Sequence, residues 1–324
     1  MSSALLCLPD EASTQRVRTI LPPVEFPSRL SPTPESLVEF GGQLYFAVNL
    51  EDGRGALWKS DGTEAGTVAV REFPATSQVG SLTALPSLLF FQAADAEHGF
   101  ELWVSDGTSE GTRLLKDVTP GVEGSSLSHL TALDSRLVFF REVYDPASSS
   151  SRSELWTSDG TEAGTVRVRD FPAGVEVSYV AGRLGSSLLF FVKDATGTAL
   201  WRTDGTAGGT VLLKRLDAGP DSATAEHLRI SGGLAFFSLS EPTGDTEVWR
   251  TDGTEAGTVR LKTYGPSRGT VNLLDVLGSY LYLTTTSAST RLMVLNRLPV
   301  EGVTPRASSP FPTSSRASRR RCRT

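Results

Sequence analysis

Five aspartates at equivalent positions are the side chains of this sequence best suited to chemistry. Each stands in a Ser/Thr-Asp-Gly-Thr segment, at Asp61, Asp106, Asp159, Asp204 and Asp252. Carboxylate, hydroxyl and carbonyl oxygens are the ligands of hard cations, so calcium is the metal that these segments could hold. Calcium takes six to eight oxygens, however, and each segment offers one dependable carboxylate. We therefore expect these aspartates to accept hydrogen bonds from their own turns, with calcium as the alternative and no other cofactor.

The sequence contains few of the residue patterns that are expected of an enzyme. The three histidines, His98, His129 and His227, do not share one repeated position, although the last two occupy similar sites. The sequence has no glycine-rich phosphate loop, no Cys/His metal spacing and no nucleophile elbow. A hydrolase or lyase acting on glycans would need acidic and histidine side chains to converge from different repeats. That activity is the alternative to a non-enzymatic role, and no residue is predicted to be catalytic.

The aspartates belong to a longer repeat that begins with tryptophan. Each Asp follows a Trp by three residues and precedes a Gly, and a second Gly-Thr comes four residues after that Gly. All the tryptophans of the chain lie in this motif, at Trp58, Trp103, Trp156, Trp201 and Trp249, and the glycines are Gly62, Gly107, Gly160, Gly205 and Gly253. The steps from Trp to Trp are 45, 53, 45 and 48 residues. A period of this length with several short strands is typical of β-propeller blades.

The repeat predicts four short strands per unit. Apolar runs such as Leu88-Leu89-Phe90-Phe91 lie upstream of each Trp and indicate strands that are buried on both faces. Alternating runs such as Thr165-Val166-Arg167-Val168-Arg169 lie downstream and indicate half-exposed outer strands. We expect each Trp to fill the wedge between adjacent blades and each Asp-Gly pair to form a hairpin turn.

These motifs resemble the bacterial ELWxxDGT repeat. Glu101-Leu102-Trp103 and Glu154-Leu155-Trp156, each followed by its Asp-Gly-Thr, match it fully, and the resemblance covers roughly residues 35–265. Glu247-Val248 precedes Trp249, and Ala56 and Ala199 replace the glutamate in two copies. The resemblance implies a propeller in an exported or cell-surface bacterial protein, in a family with no established activity.

Composition and charge narrow the range of partners. The net charge is −6, but the charges are unevenly distributed. Residues 303–324 contain six arginines and no acidic residue, so residues 1–302 contain 25 basic and 37 acidic residues. An acidic body disfavours nucleic acid as a partner. No apolar run reaches the 18 residues that a membrane span requires. Cys7 and Cys322 lie near the termini and exclude a framework of several disulfides.

The two ends of the chain differ from the repeats. Residues 1–13 lack the basic start of a secretory signal and are expected to be disordered, as is the Ser/Pro/Arg-rich tail at 303–324. Residues 14–21 resemble the fourth strand of a repeat, and a unit at 270–296 lacks a convincing fourth strand. We expect the first segment to complete that last blade, so that residues 14–302 form one propeller of about six four-stranded blades. Alternatively, residues 14–21 cap an open array.

The sequence therefore predicts an all-β propeller that acts as a binding or scaffold module at the bacterial cell surface or exterior. Recognition is assigned to the variable loops between the second and third strands, such as those at 95–99 and 145–153. Protein or surface polysaccharide is the expected partner. A glycan-directed enzyme and a purely structural surface protein are the alternatives.

Overall fold

The computed structural model describes residues 34–50, 53–74, 77–147, 149–219, 222–286 and 293–301. Within these ranges the chain forms 23 β-strands and a single 3-10 turn at Pro266–Arg268, with no α-helix. The prediction of an all-β chain is confirmed. Among the helical segments of the described residues, none has the length and apolarity required to cross a membrane. The predicted strand at 14–21, the N-terminal segment 1–13 and the tail 303–324 lie outside the described residues.

The chain divides into two compact units, Met1–Ala225 and Glu226–Thr324. In the first unit, four antiparallel sheets each contain four strands in chain order. The strands of the first two sheets are β1 (Glu35–Phe40), β2 (Gln43–Asn49), β3 (Gly55–Ser60), β4 (Val68–Glu72), β5 (Gly80–Ala84), β6 (Leu89–Asp95), β7 (Gly99–Ser105) and β8 (Arg113–Lys116). Those of the next two are β9 (Ser126–Leu133), β10 (Arg136–Asp145), β11 (Ser150–Ser158), β12 (Val166–Phe171), β13 (Glu176–Leu184), β14 (Ser187–Asp194), β15 (Gly197–Thr203) and β16 (Val211–Arg215).

The second unit contains two further antiparallel sheets, one of four strands and one of three. They are formed by β17 (Thr224–Ser231), β18 (Leu234–Ser240), β19 (Thr246–Thr251), β20 (Val259–Tyr264), β21 (Val271–Leu277), β22 (Tyr280–Thr286) and β23 (Met293–Pro299). The two sheets share an apolar core that includes Phe236, Val248, Leu273 and Leu283. The last sheet has three strands among the described residues. This agrees with the prediction that the repeat at residues 270–296 lacks a convincing fourth strand.

Consecutive apolar residues in the second strand of each sheet explain how the first unit packs. In β6, Phe91 lies in a core with Tyr45 of the first sheet, whereas Phe90 lies in a core with Phe139 of the third sheet. In the third sheet, Phe140 lies in a further core with Phe190 of the fourth sheet. Neighbouring strand residues point to opposite faces, so a run such as Leu-Leu-Phe-Phe buries both faces of its sheet against the flanking sheets.

The first strands of neighbouring sheets in this unit lie against one another. Strand β1 lies against β5, β5 against β9, and β9 against β13. Pairing of each first strand with the second is interrupted by a bulge, and Ser36, Ser81 and His129 have positive φ angles of 51°, 55° and 54° there. The bulges join neighbouring sheets, because the Ser81 backbone N–H donates to Ser36 Oγ at 3.1 Å.

Candidate functional site

The aspartates of the repeat close their own turns. In the fourth repeat, Asp204 Oδ1 accepts hydrogen bonds from the Thr206 backbone N–H at 2.9 Å and from Thr206 Oγ1 at 2.7 Å. The Gly209 N–H then donates to Thr206 Oγ1 at 3.0 Å. The other four repeats have the same bonds at the equivalent positions. Sequence reasoning anticipated the aspartate as an acceptor.

A pair of buried hydroxyls joins the two ends of each turn, and sequence reasoning missed it. Thr210 Oγ1 donates to the Thr206 carbonyl at 2.6 Å and lies 2.7 Å from Thr203 Oγ1. Thr203 Oγ1 must therefore donate to Thr210 while it accepts from the Gly205 N–H at 3.0 Å. Both threonines are buried, so the pair satisfies groups that would otherwise be costly to bury. The recurring second Gly-Thr of the motif was the signal.

These bonds shift the ionisation of the aspartates. The side-chain hydrogen bond from the Thr two residues on lowers the pKa of Asp61, Asp106, Asp159, Asp204 and Asp252. In the described ranges, no group of three or more His, Cys, Asp or Glu side chains is placed to hold a metal ion. Calcium binding by these turns therefore stays a prediction.

The tryptophans stack on phenylalanines of the adjacent strand. Trp103 and Phe91 have ring centroids 6.4 Å apart with planes 30° from parallel, and Trp201 and Phe190 are arranged alike at 6.3 Å. Trp201 also contacts the preceding sheet, where Phe171 meets it edge-on and the Arg169 guanidinium lies 4.5 Å from the ring centroid. Trp103 has the same two contacts, from Phe73 and Arg71. These two tryptophans therefore fill the space between adjacent sheets.

The glutamate two residues before Trp has two different roles. Glu154 and Glu247 each accept a hydrogen bond at 2.9 Å from the indole N–H of their own Trp. Glu101 instead accepts from the Val118 and Thr119 backbone N–H groups at 3.0 Å and from Ser125 Oγ at 2.7 Å. The buried Trp103 Nε1 has no hydrogen-bond partner in the described part of the chain. Glu101 is thus diverted to hold the loop at residues 117–125, which we call the anchored loop.

A directional chain of hydrogen bonds extends from this loop into the third sheet. Arg141 Nη2 donates to Thr119 Oγ1 at 2.8 Å, Thr119 lies 2.7 Å from Ser125 Oγ, and Ser125 donates to Glu101. Arg141 Nη1 donates to Glu154 Oε2 at 3.0 Å. Burial raises the pKa of Glu101. Burial would also raise the pKa of Glu154, but hydrogen bonds from Trp156 and Arg141 lower it overall.

The anchored loop forms one wall of a cleft of about 660 Å³. The cleft is also lined by the end of β10 from Arg141 to Tyr144, by Pro146 beyond that strand, and by Gln92 and Phe100 of the second sheet. Tyr144 and Phe100 expose 63% and 37% of their surface, although both are large apolar side chains. Strand β10 has 10 residues, whereas the second strands of the other sheets have 7 or 8. The additional residues extend β10 through Tyr144 to Asp145. Tyr144 and the anchored loop both lie between Trp103 and Trp156, which is the longest Trp-to-Trp step at 53 residues.

His98 and His129 each have partners close to their own strands. His129 Nε2 donates to the Tyr179 carbonyl at 2.8 Å, and its Nδ1 lies 3.1 Å from Ser128 Oγ, so both ring nitrogens are occupied. His98 pairs with Asp95 at 2.9 Å in the β6–β7 turn, and this hydrogen bond raises the pKa of His98. An opening near the ends of the first strands is lined by Glu39, Asp134 and Arg183 among others, and its described lining has no histidine.

Comparison with known proteins gives the fold. No known family model and no curated protein sequence matches the chain. It is similar to the structure of a puromycin hydrolase S511A mutant complexed with PGG (TM-score 0.50, 17% identity, 87% of this chain and 46% of that one). It is also similar to prolyl oligopeptidase B from Galerina marginata, with a TM-score of 0.51 and 12% identity, over 82% of this chain and 40% of that one. A third similar structure is oligogalacturonate lyase in complex with manganese, with a TM-score of 0.50 and 12% identity, over 78% of this chain and 73% of that one. The comparisons support a β-propeller fold.

The likeness is limited to that fold. The chain spans less than half the length of the puromycin hydrolase and of the prolyl oligopeptidase, and every identity lies well below the level at which an activity transfers. The six sheets of three or four antiparallel strands agree with the predicted number of blades.

Proposed function

We propose that this chain is a non-enzymatic β-propeller binding module, and that its ligand sits in the cleft between the anchored loop and the end of β10. The observation that carries this proposal is the diversion of Glu101. In the repeats at Trp156 and Trp249 the equivalent acid bonds the indole, whereas here it fixes the loop that forms a wall of the cleft. A wall held by a buried carboxylate and an arginine is preorganised for binding.

The location of the cleft also supports binding. It lies beside the β6–β7 and β10–β11 hairpins, which belong to the variable connections between second and third strands. Loops that vary among repeated units on a rigid framework commonly carry recognition. The cleft volume of about 660 Å³ lies within the range of roughly 300–1,000 Å³ that is typical of ligand sites.

The proposed framework is a propeller of six blades in which residues 14–21 add the fourth strand to the β21–β22–β23 sheet. The support is the sequence match of residues 14–21 to β12 and the exposed apolar residues Met293 and Leu295 on β23. Paired edges would remove a surface that invites aggregation. Location at the cell surface or exterior belongs to this proposal and follows from the resemblance to ELWxxDGT repeats.

Thermal unfolding of the purified full chain tests the proposal. The chain is heated with calcium, with a chelator, with a panel of polysaccharides and with peptides of either charge. A ligand at 100 times its Kd raises the free energy of unfolding by about 2.7 kcal/mol, which gives a clear rise in Tm. We expect such a rise with at least one probe, and its loss in a Phe100→Ala/Tyr144→Ala variant. A ligand-dependent rise that persists in that variant would place the site elsewhere.

A further inference from the structure

We infer that the cleft takes a neutral oligosaccharide, with Tyr144 as its stacking platform and Glu123 and Glu142 as acceptors for sugar hydroxyls. This inference rests on the proposed function, because it names the ligand class of the same cleft. It follows from the exposed aromatic rings, the charges that are free in the cleft, and the strand edges that are already occupied.

The exposed aromatic rings provide an apolar platform. Tyr144 lies one residue from the end of β10 and exposes 63% of its surface, and Phe100 faces the cleft from β7. The position of Phe100 is fixed, since its carbonyl accepts the Ser125 backbone N–H at 2.6 Å. An aromatic face in a polar cleft suits the C–H face of a pyranose ring, because that ring is apolar on its faces and polar around its rim.

The charges of the cleft disfavour an acidic ligand. Arg141 is the one cationic side chain among the described residues of the lining, and it is only 14% exposed. Its guanidinium already bonds Glu154 and Thr119, so its charge is compensated within the protein. Glu123 and Glu142 also line the cleft and are exposed. The carboxylates accept hydroxyl hydrogen bonds and repel uronates.

The strand edge beside the cleft is not available to an extended peptide. Peptides commonly bind by adding a strand to an exposed sheet edge through main-chain hydrogen bonds. Strand β9 is the edge strand of the third sheet, but Gln92 Nε2 from the second sheet donates to its Leu127 carbonyl at 3.2 Å. Further along the same edge, Thr83 Oγ1 donates to the Leu130 carbonyl at 3.1 Å. Side chains, rather than the main chain of β9, are therefore the groups available to a ligand in the cleft, and a saccharide can be bound through side chains alone.

Titration calorimetry of the full chain tests the inference with four probes: cellotetraose, chitotetraose, tetragalacturonate and tetralysine. Each is titrated into the wild type, Tyr144→Ala and the control Tyr179→Ala, which removes an aromatic ring that is 82% exposed and lies outside the cleft lining. We expect one neutral tetrasaccharide to bind, with affinity reduced about tenfold or more in Tyr144→Ala and unchanged in the control. We expect tetragalacturonate to bind at least about tenfold more weakly, and Glu142→Gln to reduce that difference.

The outcomes separate this inference from the proposed function. Binding of tetralysine or tetragalacturonate that depends on Tyr144 and exceeds that of both neutral probes would overturn the saccharide assignment and leave the cleft as the binding site. Binding of a neutral tetrasaccharide that Tyr144→Ala does not weaken would overturn the placement of the ligand. Failure of all four probes would overturn the inference, and the wider panel of the thermal assay would then decide the proposed function alone.

Discussion

Asp204 occupies the space that a side chain on Gly209 would fill. A Cβ atom built on Gly209 would lie 2.0 Å from Asp204 Oδ1, and the equivalent Gly–Asp pairs of the other repeats show the same approach within 0.1 Å. The second glycine of each motif is therefore required, because the aspartate of the same motif fills the space where a larger residue would place its Cβ. Its role is space for a carboxylate that closes the turn.

The adjacent glycine offers a matched control for this relationship. We expect Gly209→Ala to lower the free energy of unfolding by about 1–3 kcal/mol, because the methyl group displaces the Asp204 carboxylate. Gly208→Ala in the same turn places its Cβ with nothing within 4 Å and should change stability by no more than about 0.5 kcal/mol. Urea unfolding of both variants measures the difference. Equal stability of the two variants would mean that the turn relaxes without cost.

Removal of a tryptophan between sheets should be costly. Trp103 is 3% exposed and packs on Phe91 and Phe73, so we expect Trp103→Ala to lower the free energy of unfolding by about 3–5 kcal/mol. Tyr144→Ala removes an exposed ring and serves as the control, with an expected change within about 0.5 kcal/mol. A small effect at Trp103 in chemical unfolding would contradict the packing between the sheets.

Glu101 should act on ligand affinity through the anchored loop. In Glu101→Gln, the amide NH₂ cannot accept a hydrogen bond, so one of the Val118, Thr119 or Ser125 donors loses its partner. We expect affinity in the cleft to fall about tenfold, because the loop must be ordered on binding. The control is Glu247→Gln, whose acid bonds its own Trp249 rather than a loop. An unchanged Kd in Glu101→Gln would mean that the loop does not contribute to the site.

Acid should remove the contribution of Asp194 to stability. Hydrogen bonding from Thr196, reinforced by Arg215, lowers the pKa of Asp194 from its usual value of 3.8 to about 2. A carboxyl group with a lower pKa in the folded state stabilises the fold above its unfolded pKa and loses that contribution as pH falls through the folded pKa. The Tm advantage of the wild type over Asp194→Asn should therefore be complete near neutral pH and decline between about pH 4 and pH 2. A constant difference across this range would exclude the linkage.

The proposed closure by residues 14–21 predicts that deletion of residues 1–21 destabilises the chain. Without the segment, the β21–β22–β23 sheet would keep an unpaired edge. We expect a lower Tm and concentration-dependent association in light scattering, and deletion of residues 303–324 should change neither. An unchanged Tm after the N-terminal deletion would contradict this closure and favour an open array.

Much of the architecture could be predicted because the same pattern of strands and turns recurs in five copies of the motif. Runs such as Leu88 to Phe91 indicated strands with two buried faces, and Phe90 and Phe91 indeed lie in different cores. The Asp-Gly pairs indicated turns at the positions where the structure has them. Single residues such as Glu101 were not predictable, because the motifs at Trp103 and Trp156 share the same Glu-Leu-Trp and Asp-Gly-Thr residues and only the anchored loop changes the partner of the glutamate.

The cleft itself could be predicted only in outline. The loops at 95–99 and 145–153 were assigned to recognition, whereas the loop at residues 117–125 was not. Arg141 and Thr119 are 22 residues apart, and no local pattern indicates that they hydrogen-bond. The bulges at Ser36, Ser81 and His129 were also missed, because a positive φ at a residue other than glycine has a weak sequence signature.

Hydrogen–deuterium exchange with and without the neutral tetrasaccharide that binds most tightly tests the central claim most directly. If the cleft is the binding site, the backbone amides of the anchored loop and of residues 141–147 will exchange more slowly in the complex. The amides of the five Asp-Gly-Thr turns will exchange at unchanged rates, since those turns are closed by their own side chains. Protection confined to the Asp-Gly-Thr turns, with none at residues 117–125, would contradict this account.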